Sequence, residues 1–134
     1  MNWVELKDAM NHIRASGKQW PSINLRTEIG LPVDINLGAS GVIFIMNGKA
    51  RITYAVISAD GMKMTRAKGI NGMGEADKAA LRALCKGLAE DPKTYLAAAG
   101  QRLGYCCLCS RPLSNDESVE RGMGPVCAER AGWA

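Results

Sequence analysis

One histidine and one phenylalanine are all that the 134 residues contain of those two types, and three tryptophans and three tyrosines complete a thin aromatic inventory. A core of ordinary size must therefore be assembled from Ile, Leu, Val, Met and Ala. With only His12 available, a thiol or hydroxyl nucleophile has almost no choice of imidazole base, which disfavours nucleophilic catalysis. The scarcity of aromatic rings argues against sequence-specific readout of single strands by base stacking. No run approaches the roughly 20 apolar residues that span a bilayer. The opening "MNWVELKDAM" is amphipathic rather than a basic region followed by an apolar run, so a cytoplasmic protein is expected. Repeats and low-complexity tracts are also missing. Apolar residues at 47% and charged residues at 22% belong to a foldable chain rather than a disordered one.

The elements alternate in texture along the chain. In residues 3–15, Trp3, Leu6, Met10 and Ile13 recur at steps of three and four, which predicts an amphipathic helix ended by Gly17. Residues 22–66 carry short apolar runs with partial alternation ("SINLRT", "PVDINLG", "GVIFIM", "RITYAVIS", "MKMTR"), the pattern of an antiparallel meander. Asn47-Gly48 and Asp60-Gly61 are its candidate hairpin turns. "GINGMGE" has neither phosphate-loop nor dinucleotide-loop spacing and reads as a connecting loop. A helix follows over residues 75–89, and Asp91-Pro92 starts another that runs to about Leu103. The fold class expected is α+β: a small antiparallel β-sheet of four or five strands, flanking helices, and a C-terminal treble-clef-like zinc module. Residues 1–104 would form the body and residues 105–134 the module, packed as one domain.

Four of the five cysteines fall in "YCCLCSRPLSNDESVERGMGPVC". Cys106 and Cys109 form a C-x-x-C pair, the spacing of a zinc knuckle that presents two thiolates to one ion. Cys127 follows Pro125 at a plausible helix start, where free N–H groups favour a thiolate, and Gly122 and Gly124 let the backbone turn toward the metal. In a reducing compartment, clustered cysteines serve a metal more readily than a disulfide. The expected cofactor is one structural Zn2+ on Cys106, Cys109 and Cys127. For the fourth ligand, Cys107 is the nearest candidate, although adjacent side chains point apart; Cys85, a carboxylate of "SNDESVE" and a water are the others. Cys85 lies on an apolar helix face and reads as a small buried hydrophobe, and His12 as a surface or boundary residue.

The stretch "DPKTYLAAAGQRLGYCCLCSRPLSNDESVERGMGPVCAERAGW" resembles an uncharacterised domain family widespread in bacteriophage and prophage proteins, whose members end in "GxCCxCxRxLxxxxSxxxGxGPxC". Gly104, Cys106, Cys107, Cys109, Arg111, Leu113, Ser118, Gly122, Gly124, Pro125 and Cys127 fall on that pattern. The resemblance implies a zinc-binding, phage-associated protein, and the same motif is also appended to larger nucleic-acid-processing proteins such as helicases.

Charge supplies the remaining signal. The net charge is +4, but residues 49–86 hold eight basic residues (Lys49, Arg51, Lys63, Arg66, Lys68, Lys78, Arg82, Lys86) against three acids. Lys78, Arg82 and Lys86 recur every four residues and would form one helical stripe. Such a region meets a polyanion first, so DNA or RNA is the expected partner through these eight residues. The leading expectation is a non-enzymatic accessory protein that contacts nucleic acid and is clamped by zinc. The alternative is a protein-interaction module that modulates a host enzyme or defence complex. A zinc hydrolase using Glu117 or Glu120 as base is disfavoured, since three thiolates make a poor Lewis-acid site.

Overall fold

The computed structural model describes residues 2–133. The chain begins with helix α1 (Val4–Ala15) and continues into strands β1 (Ser22–Arg26), β2 (Pro32–Leu37), β3 (Ile43–Asn47), β4 (Ile52–Ile57) and β5 (Met64–Arg66). After a short 3-10 turn (Lys68–Ile70) come helices α2 (Glu75–Glu90), α3 (Pro92–Leu103), α4 (Asp116–Arg121) and α5 (Pro125–Arg130). The strands form one open antiparallel sheet in sequence order, β1-β2-β3-β4-β5. The fold is thus the expected α+β arrangement, a sheet with flanking helices.

Period-two alternation explains which face of the sheet is covered. Ile23, Leu25, Val33, Ile35, Leu37, Ile43, Ile45, Ala55 and Ile57 are buried on one face, together with Leu6, Met10 and Ile13 of α1, Leu81, Leu84 and Leu88 of α2, and Leu96 of α3. The other face carries Asn24, Asp34, Asn36, Phe44, Met46 and Val56, all half-buried. Two layers suffice to enclose the core. The pairing slips once: Ile45 opposes Ala55 while Met46 opposes Thr53, so Tyr54 is the extra residue of a bulge and is buried beside Ala55.

The turns differ from the tight hairpins expected. Between β3 and β4 the loop is longer than a two-residue Asn-Gly turn. Asp34 Oδ2 accepts from the Gly48 N–H at 2.7 Å, Asn47 Oδ1 accepts from the Ala50 N–H at 3.1 Å, and Arg51 takes the left-handed conformation (φ 56°) that closes the loop. Side-chain acceptors offered by Asp34 and Asn47 outcompete the two-residue turn. At the other hairpin Gly61 has φ 77°, and its carbonyl accepts from the Trp3 N–H at 2.9 Å, fixing the entry into α1.

Helix α4 falls between the two cysteine-bearing pieces, a stretch for which no helix was expected. Its signals are local: Asn115 caps it by accepting from the Ser118 N–H at 2.8 Å, Asp116 and Glu117 occupy its first turn, and Gly122 ends it at φ 74°. The close approach of this segment to α3 depends on two glycines. A Cβ on Gly100 would overlap the Gly122 carbonyl oxygen, and a Cβ on Gly122 would overlap the Ala97 carbonyl oxygen. Gly→Ala inside a helix ordinarily gains about 1 kcal/mol. At Gly100 the clash with backbone, which cannot swing aside as a side chain would, reverses the sign. Gly100→Ala is expected to destabilise by about 1–3 kcal/mol, read from the denaturant midpoint; a raised midpoint would show that the α3–α4 contact is loose.

Candidate metal centre and basic groove

Gly104, left-handed at φ 79°, turns the chain out of α3 and into a short hairpin. Tyr105 bridges Pro112, the Cys106 N–H donates to the Arg111 carbonyl at 2.9 Å, and the Leu113 N–H donates to the Gly104 carbonyl at 3.0 Å. Within it the Cys106 carbonyl accepts from both Cys109 N–H (3.4 Å) and Ser110 N–H (2.7 Å), and Ser110 adopts φ 63°. That tight turn is a knuckle. Further on, Gly124 precedes α5 in an extended conformation (ψ 146°), Pro125 occupies its first position, and Cys127 falls in its first turn. A knuckle facing a helix start is the treble-clef-like arrangement expected.

The two pieces bring Cys106, Cys109 and Cys127 together, with their three sulfurs all within 4.8 Å of one another. Three sulfurs around a tetrahedral ion at about 2.3 Å would stand roughly 3.8 Å apart, a spacing compatible with that bound. The group can hold a metal ion. Its electrostatics are those of a ligand set: Cys106 is pushed down to about 5, chiefly because the Cys127 thiol donates to it, with burial opposing and N–H groups of Gly124, Leu108 and Cys109 assisting. Cys127 is correspondingly pushed up, first by that shared hydrogen bond and then by burial. The pair shares a proton that an arriving cation would displace.

Cys107 stands outside the group, against the expectation that it supplies the fourth ligand. Its side chain is buried at 1% exposure, and burial, followed by the Cys106 charge, pushes its thiol up to about 12, with Arg102 acting the other way. The physical reason is the divergence of adjacent side chains: Cys106 turns to the cluster and Cys107 into the core. Its carbonyl accepts from the Asn24 N–H of edge strand β1 at 2.9 Å, and Ser110 Oγ accepts from Asn24 Nδ2 at 3.1 Å. Cys85 is buried on α2, where burial raises its thiol to about 11. Glu117 is exposed and pairs with Arg121 at 2.9 Å. His12 is an exposed boundary residue, its Nδ1 3.4 Å from the Ala131 carbonyl where α1 meets the chain after α5. Among the described residues no fourth His, Cys, Asp or Glu joins the three cysteines.

The basic residues divide. Arg66, Lys68, Lys78 and Arg82 line one groove of about 440 Å3, between the β4–β5 edge, the Lys68–Ile70 turn and α2. Register explains this convergence: Arg66 opposes Ala55, so it shares the covered face of the sheet, on the edge strand beside α2. Ile45, Tyr54, Ala55, Met64, Ile70, Leu81 and Cys85 supply apolar lining. Burial raises the Tyr54 hydroxyl, with a hydrogen bond to the Asn47 side chain acting the other way. Lys49 and Arg51 lie instead in the β3–β4 loop, Lys63 in the β4–β5 turn, and Lys86 one turn beyond Arg82; all four are exposed. Lys78 lies 3.7 Å from Glu75, an open pair of little consequence. Sequence reasoning missed the contribution of Asn71 to this groove, because the packing of the Lys68–Ile70 turn against β4 leaves no local signal.

Residues 96–132 match the model of a family of unknown function, DUF6011. The matched segment contains all three clustered cysteines. No curated protein and no solved structure matches the chain. No described helix is long and apolar enough to cross a membrane.

The cluster geometry separates the cysteines experimentally. Elemental analysis of the purified chain is expected to find one metal ion per chain. Cys106→Ser, Cys109→Ser and Cys127→Ser should each lower that content, while Cys85→Ala and Cys107→Ala keep it. Because thiols must shed protons to bind, metal content should also fall as the pH is lowered. Full metal content in all three serine variants would overturn the assignment.

Proposed function

We propose that the chain is a small non-enzymatic accessory protein of a phage or prophage that contacts DNA or RNA through its basic groove, with one structural zinc ion clamping its C-terminal segment. The single observation that carries the nucleic-acid reading is the convergence of Arg66, Lys68, Lys78 and Arg82 on one groove. These residues come from β5, the following turn and α2, and they form two cationic rails. Lys86 continues the α2 rail, and Lys63, Lys49 and Arg51 flank the other. Guanidinium and ammonium groups so arranged neutralise successive phosphates, and the released counterions drive binding. The phage setting is supported by the resemblance of the cysteine-bearing tail.

Zinc is favoured by the donor set. Three thiolates form a soft site, which suits zinc over calcium, magnesium or manganese. When bound, the ion would supply a cross-link between the knuckle and α5, and Cys106, Cys109 and Cys127 would hold it. The non-enzymatic reading is supported by a cysteine group that includes neither His nor carboxylate among the described residues, and by Glu117 pairing with Arg121 on the surface.

Fluorescence anisotropy with labelled DNA and RNA tests the reading. Affinity is expected to fall linearly with salt on a log–log scale, and the slope to shrink by about one for each phosphate-contacting side chain removed among Arg66→Ala, Lys68→Ala and Arg82→Ala. Negligible binding to both nucleic acids at low salt, or affinity indifferent to these substitutions, would sink it. Iron or copper in place of zinc in the elemental analysis would overturn the metal identity.

A further inference from the structure

The groove has a floor as well as rails. Ile45, Ala55, Met64, Ile70 and Leu81 give it an aliphatic base, the Tyr54 ring lies among them, and Asn71 supplies an amide that both donates and accepts. Its volume of about 440 Å3 falls in the range, roughly 300–1,000 Å3, typical of ligand sites. We infer that this groove seats an unpaired nucleobase, so that the ligand class is single-stranded nucleic acid bound without sequence preference; the inference rests on the nucleic-acid contact proposed above.

A duplex can use the rails but not the floor, because its base faces are stacked on one another and it presents only phosphates and groove edges. An unpaired base has two apolar faces to bury and a polar edge that Asn71 can meet. Apolar contact of this kind tolerates any base, since every base has a flat π-face; the Tyr54 ring, 2% exposed, closes the floor from below. An acidic peptide would satisfy the four cations at the mouth. Positive charge also lies beyond the groove, at Lys86 one turn further along α2, at Lys63 in the β4–β5 turn, and at Lys49 and Arg51 in the β3–β4 loop at the other end of β4. A longer polyanion uses all of these.

Ala67 offers a way to block the floor without touching the rails. It lines the groove, is half-buried, and holds its place through a backbone hydrogen bond, its N–H donating to the Tyr54 carbonyl at 2.9 Å, which any residue but proline retains. The experiment compares single-stranded and duplex oligonucleotides of equal length, each with one 2-aminopurine, against the full chain and Ala67→Leu, which fills the floor without adding an aromatic face. The single strand is expected to bind about tenfold or more tightly than the duplex, with a change in 2-aminopurine emission; Ala67→Leu should remove that excess while duplex affinity stays within about twofold. A variant-free arm irradiates the unmodified protein with an oligonucleotide carrying 4-thiothymidine. Cross-links should map to peptides containing Tyr54, Met64 or Ile70. Equal affinity for single strand and duplex, indifferent to Ala67→Leu, with cross-links elsewhere, overturns the seated base while leaving the electrostatic contact standing. Competition by polyglutamate equal to that of the oligonucleotide, with no emission change, assigns the groove to acidic peptides and overturns the inference. Absence of binding to either form removes the parent reading as well.

Discussion

The peptide unit joining Cys106 to Cys107 is where the tail and the sheet become one structure. Adjacent side chains diverge, so one thiol is delivered to the three-cysteine group and the next to the core, and the carbonyl of the second accepts from the Asn24 N–H of β1. An exposed edge strand presents unpaired backbone groups that other chains can pair with. Here the knuckle covers part of that edge. The Asn24 amide on Ser110 and the Arg102 guanidinium donating to the Arg26 carbonyl at 3.0 Å reinforce the same edge.

Two close backbone contacts complete the attachment. Gly100 and Gly122 let α3 lie against the end of α4 with no side chain between, which positions the chain for the turn into Gly124 and α5. The placement of Cys127 opposite the knuckle therefore depends on α3 and not on the loop alone. Lys18, donating to the Leu108 carbonyl at 3.4 Å, adds a tie from the segment after α1.

What was legible in the sequence follows from the range of the interactions involved. Cys106 and Cys109 are three residues apart, and Pro125 marks the helix that carries Cys127, so local spacing sufficed to name all three. The partial alternation that includes Ile23, Leu25, Val33, Ile35, Ile43 and Ile45 likewise announced the sheet, and these residues form its buried face. Cys107 was misplaced because proximity along the chain counts for little when side-chain direction alternates. Helix α4 was missed although Asn115, Asp116 and Gly122 give its start and stop, since the cysteine pattern drew the whole segment into a ligand loop. The groove was legible only as charge. That Arg66 and Lys68 would face Lys78 and Arg82 depends on β5 pairing with β4 and on α2 packing beside them, contacts that local periodicity does not encode.

The separation of these two regions constrains how they can influence each other. The knuckle sits on β1 and the groove on β4–β5, at opposite edges of a five-stranded sheet. With strands about 4.8 Å apart, four spacings place the edges about 19 Å from one another. That exceeds the Debye length of about 8 Å at physiological salt, so exposed charges at one edge act weakly on the other through solvent. Coupling must run through packed elements: from α5 to α1, from α3 to α2, and from α2 to the groove wall that carries Lys78 and Arg82. The three-cysteine group thus joins the body through the same helical layer that carries Lys78 and Arg82.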